Sequence, residues 1–216
     1  MRNEEFDALV RTRRSIHRWQ DREVPDELVE ECLELATWAP NGGNKQPWHF
    51  IIIKNKKILQ EIALAVNRTT KLMMGWPEAA DHMEILNKWE RNESFFVDAP
   101  VAVAVCIGSY KSIPDRILEM RPDDPDSIAM RNSRQKASSR LQTAGAAVAT
   151  FLLALHQRGL GGCYMTGPIQ AKEQIERILQ VPEGMDLVAL VPLGYPLEVP
   201  PVPPRKPLRE VISYIG

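Results

Sequence analysis

The chain has 216 residues, ample for one hydrophobic core, and its 27 basic residues nearly balance 28 acidic ones, for a formal net charge of −1. That balance argues against a nucleic-acid surface, and no apolar run reaches the length of a membrane-spanning helix. Cys32, Cys106 and Cys163 lie far apart among apolar neighbours. They read as buried thiols of a cytoplasmic protein rather than as disulfides or a zinc site. His17, His49, His82 and His156 show no metal-ligand spacing.

Taken along the chain, residues 4–12 carry Phe6, Leu9 and Val10 at helical spacing, and this charged start does not read as a secretory signal. In VPDELVEECLELATWAP, Pro25 opens a helix, Asp26 and Glu27 occupy its first turn, and Leu28, Cys32, Leu35 and Ala36 form its apolar stripe. Pro40 ends it. WHFIIIK predicts a buried strand and KKILQEIALAV a short helix. Residues 68–97 predict a helical, partly mobile segment, and APVAVAVCIG a strand buried on both faces. The Pro/Asp-rich breaks of residues 111–127 predict an exposed excursion. Residues 133–158 predict the longest helix, apolar nearly all round at AGAAVATFLLAL, which suits deep burial or a subunit interface. LGGCYMTGPI predicts a strand ending in a glycine turn, QAKEQIERILQV an amphipathic helix, and MDLVALVPLGYP a buried strand. The proline-rich tail predicts an extended arm lying against something, such as a second subunit. No composition shift marks a linker, so one α+β domain over 1–216 fits. No Gly-x-Gly-x-x-Gly, Walker loop or Gly-x-Ser-x-Gly elbow is present.

Four stretches offer chemistry. RTRRSIHRW gathers Arg11, Arg13, Arg14 and Arg18 around Ser15 and His17. Such a cluster is either a solvated helix end or an anion site. In APNGGNKQPWHF, glycines leave the backbone open while Asn41, Asn44 and Gln46 offer amides; a plain helix-to-strand connector has the same composition. YMTGPI is either an ordinary turn or a place where a glycine N–H meets a ring nitrogen. PPRKPL puts Arg205 on a stiff arm, solvated or brought to the same anion.

Together these stretches resemble the nitroreductase family of FMN-dependent oxidoreductases. RRSIHRW (13–19), APNGGNKQPWHF (39–50), LGYP (193–196) and PRKPL (204–208) stand in the family's order. Residues 68–135 match least and form the variable lid. The resemblance implies a central, mostly antiparallel sheet flanked by helices, with a long buried helix at a homodimer interface and an extended C-terminal arm. It implies FMN as cofactor and NADH or NADPH as electron donor. Hydride passes through flavin N5 to a small electron-poor acceptor, a nitroaromatic or quinone, by a ping-pong mechanism, with no nucleic acid, membrane or catalytic side chain involved. Arg13, Arg14 and Ser15 would hold the phosphate and ribityl chain, with His17 beside them and Arg205 closing on the phosphate. Pro40, Asn41, Gly42 and Asn44 would come from the other subunit and pack near the flavin, and Gln46 would join the cofactor-binding residues. Asn92 would meet the pyrimidine edge, and Met165, Thr166 and Gly167 the isoalloxazine.

Three departures stand out. His17 replaces a common Arg or Lys, Asn41-Gly42 replaces a small hydroxyl pair, and Phe95 falls where some members have a lysine. Met73, Met74, Trp76, Trp89 and Phe96 are candidates for the acceptor pocket or for core. Two other readings keep the flavin: a reductive dehalogenase or flavin-modifying relative, and a non-catalytic FMN-binding protein. A deiodinase lid uses a Glu/Tyr/Lys set, and residues 68–97 contain Lys71 and glutamates but no tyrosine.

Overall fold

Alternation along one strand organises the molecule. In the computed structural model, which describes residues 3–216, β2 (Val101–Gly108) is buried along its whole length. Successive side chains of a strand face opposite ways. Val101, Val103 and Val105 therefore enter one core with α2 (Asp26–Ala36) and α7 (Ser139–Gln157). Ala102, Ala104 and Cys106 enter a second core with α3 (Lys56–Met74) and α8 (Lys172–Leu179). The sheet is a filling between two helical layers. It is wholly antiparallel, in the order β1-β2-β4-β3, with β1 at Trp48–Ile53, β3 at Gly161–Gly162 and β4 at Met185–Gly194. Burial lifts the Cys32 thiol to about 11 and the Cys106 thiol to about 12.

Several expectations shift in detail. The buried face of α2 is Val29, Cys32, Leu33 and Ala36, while Leu35 turns outward. α1 (Asn3–Thr12) is helical as expected, but Phe6 and Val10 are exposed. α3 runs on to Met74 because the polar Thr70 is buried and hydrogen-bonded rather than solvent-facing. Residues 83–92 form α4, and a 3-10 turn over Phe95–Asp98 leads into β2.

Residues 111–127 are largely exposed, as expected, but helical rather than broken. They hold α5 (Ile113–Glu119) and the start of α6 (Pro125–Ala137). The prolines and aspartates that look like breaks are helix starts. Ser112 and Asp115 close a capping box, and Asp124 caps α6 ahead of Pro125. The long helix over 133–158 is two helices. Ser138 sits in the left-handed region at φ 32° and its hydroxyl faces the Leu141 N–H of α7 at 3.5 Å. The strand expected over 160–169 is reduced to β3 and a bridge from Met165 to Leu190. No helix among the described residues is long and apolar enough to cross a membrane.

Candidate functional site

The arginine cluster lies on an extended segment pinned to the Val101 end of β2. Ile16 N donates to Gly162 O at 3.2 Å, Trp19 Nε1 to Gly161 O at 2.9 Å, and Leu197 N to Arg18 O at 3.0 Å. Ile16 and Trp19 are buried, which leaves Ser15 and His17 facing out on either side of Ile16. Close approach requires Gly161: a Cβ there would sit 2.3 Å from Ile16 Cγ1.

The guanidiniums are incompletely satisfied. Arg14 Nη1 donates to the carbonyls of Arg11 and Arg13, both at 2.7 Å. Arg14 Nε and Arg13 Nη1 are buried with no partner. Buried donors of this kind are costly unless something accepts from them. His156 lies alongside, 2.8 Å from Thr12 Oγ1, with its pKa lowered by burial and then by the charges of Arg13 and Arg14. The same charges make the spot attractive to an anion.

His17 carries the track onward. Its Nε2 is 3.4 Å from Cys163 Sγ and its ring stands 4.5 Å from that of Phe95. Burial raises the Cys163 pKa, partly offset by a hydrogen bond with Ser15 and by Arg13. Beyond Phe95 opens a cavity of about 320 Å³ lined by Trp89, Asn92, Glu93, Phe95, Tyr164, Met165, Thr166, Gly167 and Pro168. The ring contact of His17 with Phe95 thus joins the segment of Arg13, Arg14 and Ser15 to the cavity that Asn92, Met165, Thr166 and Gly167 line. Met165 is also core, and Asn92 spends its Nδ2 on Lys88 O at 2.6 Å. A methyl on Gly167 would meet Trp89 Cζ2 at 3.4 Å. Of the lid residues, Trp89 joins the cavity wall, Phe96 is fully buried core, and Met73, Met74 and Trp76 stand apart from the lining.

The other predicted residues are elsewhere in the chain. Pro40, Asn41, Gly42, Asn44 and Gln46 lie at the opposite end of β2, where Gly108 N donates to Pro47 O at 2.6 Å. β2 is eight residues long, which separates the two groups by roughly 20 Å. Asn41 Oδ1 accepts from Gln46 N at 2.9 Å, and a Cβ on Gly42 would lie 2.6 Å from Tyr110 Oη. Arg205 joins neither group; the hydrogen bond it makes is to the carbonyl of its own neighbour Pro204, at 3.3 Å.

Sequence reasoning missed Glu93, whose position in a charged run, WERNES, gives no sign of burial. It also missed Tyr110 and the knot beside it. Arg140 donates to Gly108 O at 3.0 Å and to Asp186 Oδ2 at 2.6 Å, while Lys172 reaches Asp186 Oδ1 at 2.7 Å. Those two cations hold the Asp186 carboxyl below its ordinary range.

Comparison with known proteins bears on the family and the fold. The chain is 31% identical over 195 residues to a Methanothermobacter thermautotrophicus protein carrying an NADH dehydrogenase/NAD(P)H nitroreductase name, covering 88% of this chain and 77% of that one. It is 26% identical over 201 residues to an iodotyrosine deiodinase of Haliscomenobacter hydrossis, covering 92% and 82%. A BluB-like flavoprotein from Clostridium difficile superimposes with a TM-score of 0.87 at 26% identity, over 98% of this chain and 99% of that one. The model of the nitroreductase family matches residues 10–195, and with the relative at 31% identity it establishes that the chain belongs to the nitroreductase family.

Proposed function

We propose that the protein is an FMN-dependent NAD(P)H oxidoreductase that acts as a homodimer on a small electron-poor acceptor. The carrying observation is the pair of buried, unpartnered guanidinium nitrogens on Arg13 and Arg14, at one end of a track whose other end is a largely apolar cavity. A phosphomonoester answers the first and an aromatic ring system the second, with a polyol chain between them passing Ser15 and His17. Riboflavin would satisfy only the ring end. The residues present therefore fit FMN.

Arg13 and Arg14 would bind the phosphate oxygens, and Ser15 would offer its hydroxyl to the ribityl chain. Thr166 and Gly167 would border the ring, with a backbone N–H able to stabilise charge that develops there. When bound, the flavin supplies hydride transfer between NAD(P)H and the acceptor in a ping-pong sequence. The protein positions the partners and narrows access to the ring.

The two separated groups support a two-chain site. Within one chain, the loop at 40–46 and the arginine segment lie at opposite ends of β2 and cannot hold one ligand together. A second copy can supply the loop and Arg205. Three surfaces left uncovered by this chain suit such a partner: Phe6 and Val10 of α1; Leu141 with the open Gly145 on α7; and the arm beyond Leu197, whose Val199, Val202, Leu208, Val211 and Tyr214 are exposed. Residues 68–135 would then form the lid of a single domain.

Steady-state NAD(P)H oxidation tests the assignment. A nitroaromatic or quinone should stimulate it, with parallel double-reciprocal lines. No stimulation by any acceptor in a flavin-loaded protein would favour a non-catalytic binder. The absence of a tyrosine from residues 68–97 speaks against the deiodinase reading.

A further inference from the structure

One buried carboxyl group borders the cavity and is used by nothing described so far. Glu93 follows α4 and is 8% exposed. Its Oε2 accepts from Thr70 Oγ1 at 2.6 Å and from Gln170 Nε2 at 3.3 Å, and Gln170 also donates to Thr70 Oγ1 at 2.8 Å. Its Oε1 is buried and has no partner. The neighbouring ion pair, Lys71 with Glu90 at 3.5 Å, leaves Glu93 out. A buried carboxyl without a cation or a full set of donors is costly, and such groups persist where a ligand completes them.

The rest of the cavity wall narrows the choice of ligand. Trp89, Phe95, Tyr164, Met165 and Pro168 are aromatic or apolar, and the amide nitrogen of Asn92 is already committed to Lys88 O. With the flavin ring against Thr166 and Gly167, the side of the wall formed by Trp89 and Glu93 is left for the acceptor, and it asks for a flat apolar body carrying one hydrogen-bond donor. An oxidised isoalloxazine has a single, uncharged N–H, whereas a protonated amine brings both donor and charge. We propose that Glu93 is a specificity-determining residue that selects an aromatic acceptor bearing a cationic nitrogen, whose N–H completes Glu93 Oε1. This rests on the flavin reading of the site. It makes Glu93 a positioning group with no part in electron transfer.

The test uses the FMN-loaded protein without an electron donor, so that no turnover occurs. It is titrated at neutral pH with 4-nitrobenzylamine, 4-nitrotoluene and 4-nitrobenzoate while the visible flavin band is followed. The amine should bind about tenfold tighter than the neutral toluene, and the benzoate weakest of the three. In Glu93→Gln, which keeps a group able to meet Thr70, the amine should fall to the affinity of the toluene while FMN uptake stays stoichiometric. Equal affinity for the three ligands in the wild type overturns the proposal, as does an amine preference that survives Glu93→Gln. If that variant does not fold, the wild-type comparison decides alone. A chain that takes up no FMN fails before any titration, and the failure then belongs to the flavin reading.

Discussion

The unpartnered nitrogens of Arg13 and Arg14 tie the reading to individual side chains. A guanidinium that meets a phosphate makes charge-assisted bonds, and losing one typically weakens binding ten- to a hundredfold, to order of magnitude. Arg14→Ala should therefore lower FMN affinity by roughly that factor in a fluorescence-quenching titration. Riboflavin, which lacks the phosphate, should bind wild type and variant equally. Equal loss for both flavins would mean that Arg14 shapes the segment rather than meeting the phosphate. The motif around these residues was readable because it combines unusual composition with short spacing. Glu93 was not, because burial depends on Thr70 and Gln170, which lie 23 and 77 residues away along the chain.

Elements decide where those side chains stand. The extended segment is held by β3, and Gly161 has no room for a side chain beside Ile16. Gly161→Ala should cost about 1–3 kcal/mol by overpacking. It should lower the thermal midpoint and, by shifting Ile16, weaken FMN binding as well. At the other end of the sheet, Asp186 joins α7 through Arg140 and α8 through Lys172. Its folded pKa lies below its ordinary value of 3.8. The stability it contributes is thus present above that value and lost as pH falls through the folded pKa. The carboxyl is 42% exposed, so screening limits the contribution to about 1 kcal/mol or less. Asp186→Asn should lower the urea midpoint at pH 7, and the gap should close as pH falls below about 4.

The strands of the sheet were legible in the sequence for a related reason. A strand buried on both faces shows as a continuous apolar run, as β2 and β4 do, whatever its partners. The helices at 113–137 were not, because Ser112, Pro114, Asp124 and Pro125 are as common in turns as at helix starts. Ser138 splits the long helix through a single left-handed residue, which no periodicity reveals.

At the scale of the whole molecule, the proposed dimer would have a second copy complete the site. Its arginine segment and its amide-bearing loop lie at opposite ends of the central strand, and its arm is exposed from Pro200 onward. Truncation after Pro200 should shift the protein from dimer to monomer in sedimentation equilibrium and remove tight FMN binding. A dimer that persists with its flavin would show that α1 and α7 suffice. The most direct test of the central claim is the visible absorption spectrum of the purified protein, followed by identification of the chromophore released on denaturation. The account predicts a flavin spectrum and release of FMN in amounts stoichiometric with the chain. A colourless protein that also fails to take up added FMN would contradict it, and the unpartnered arginines would then await a different anion.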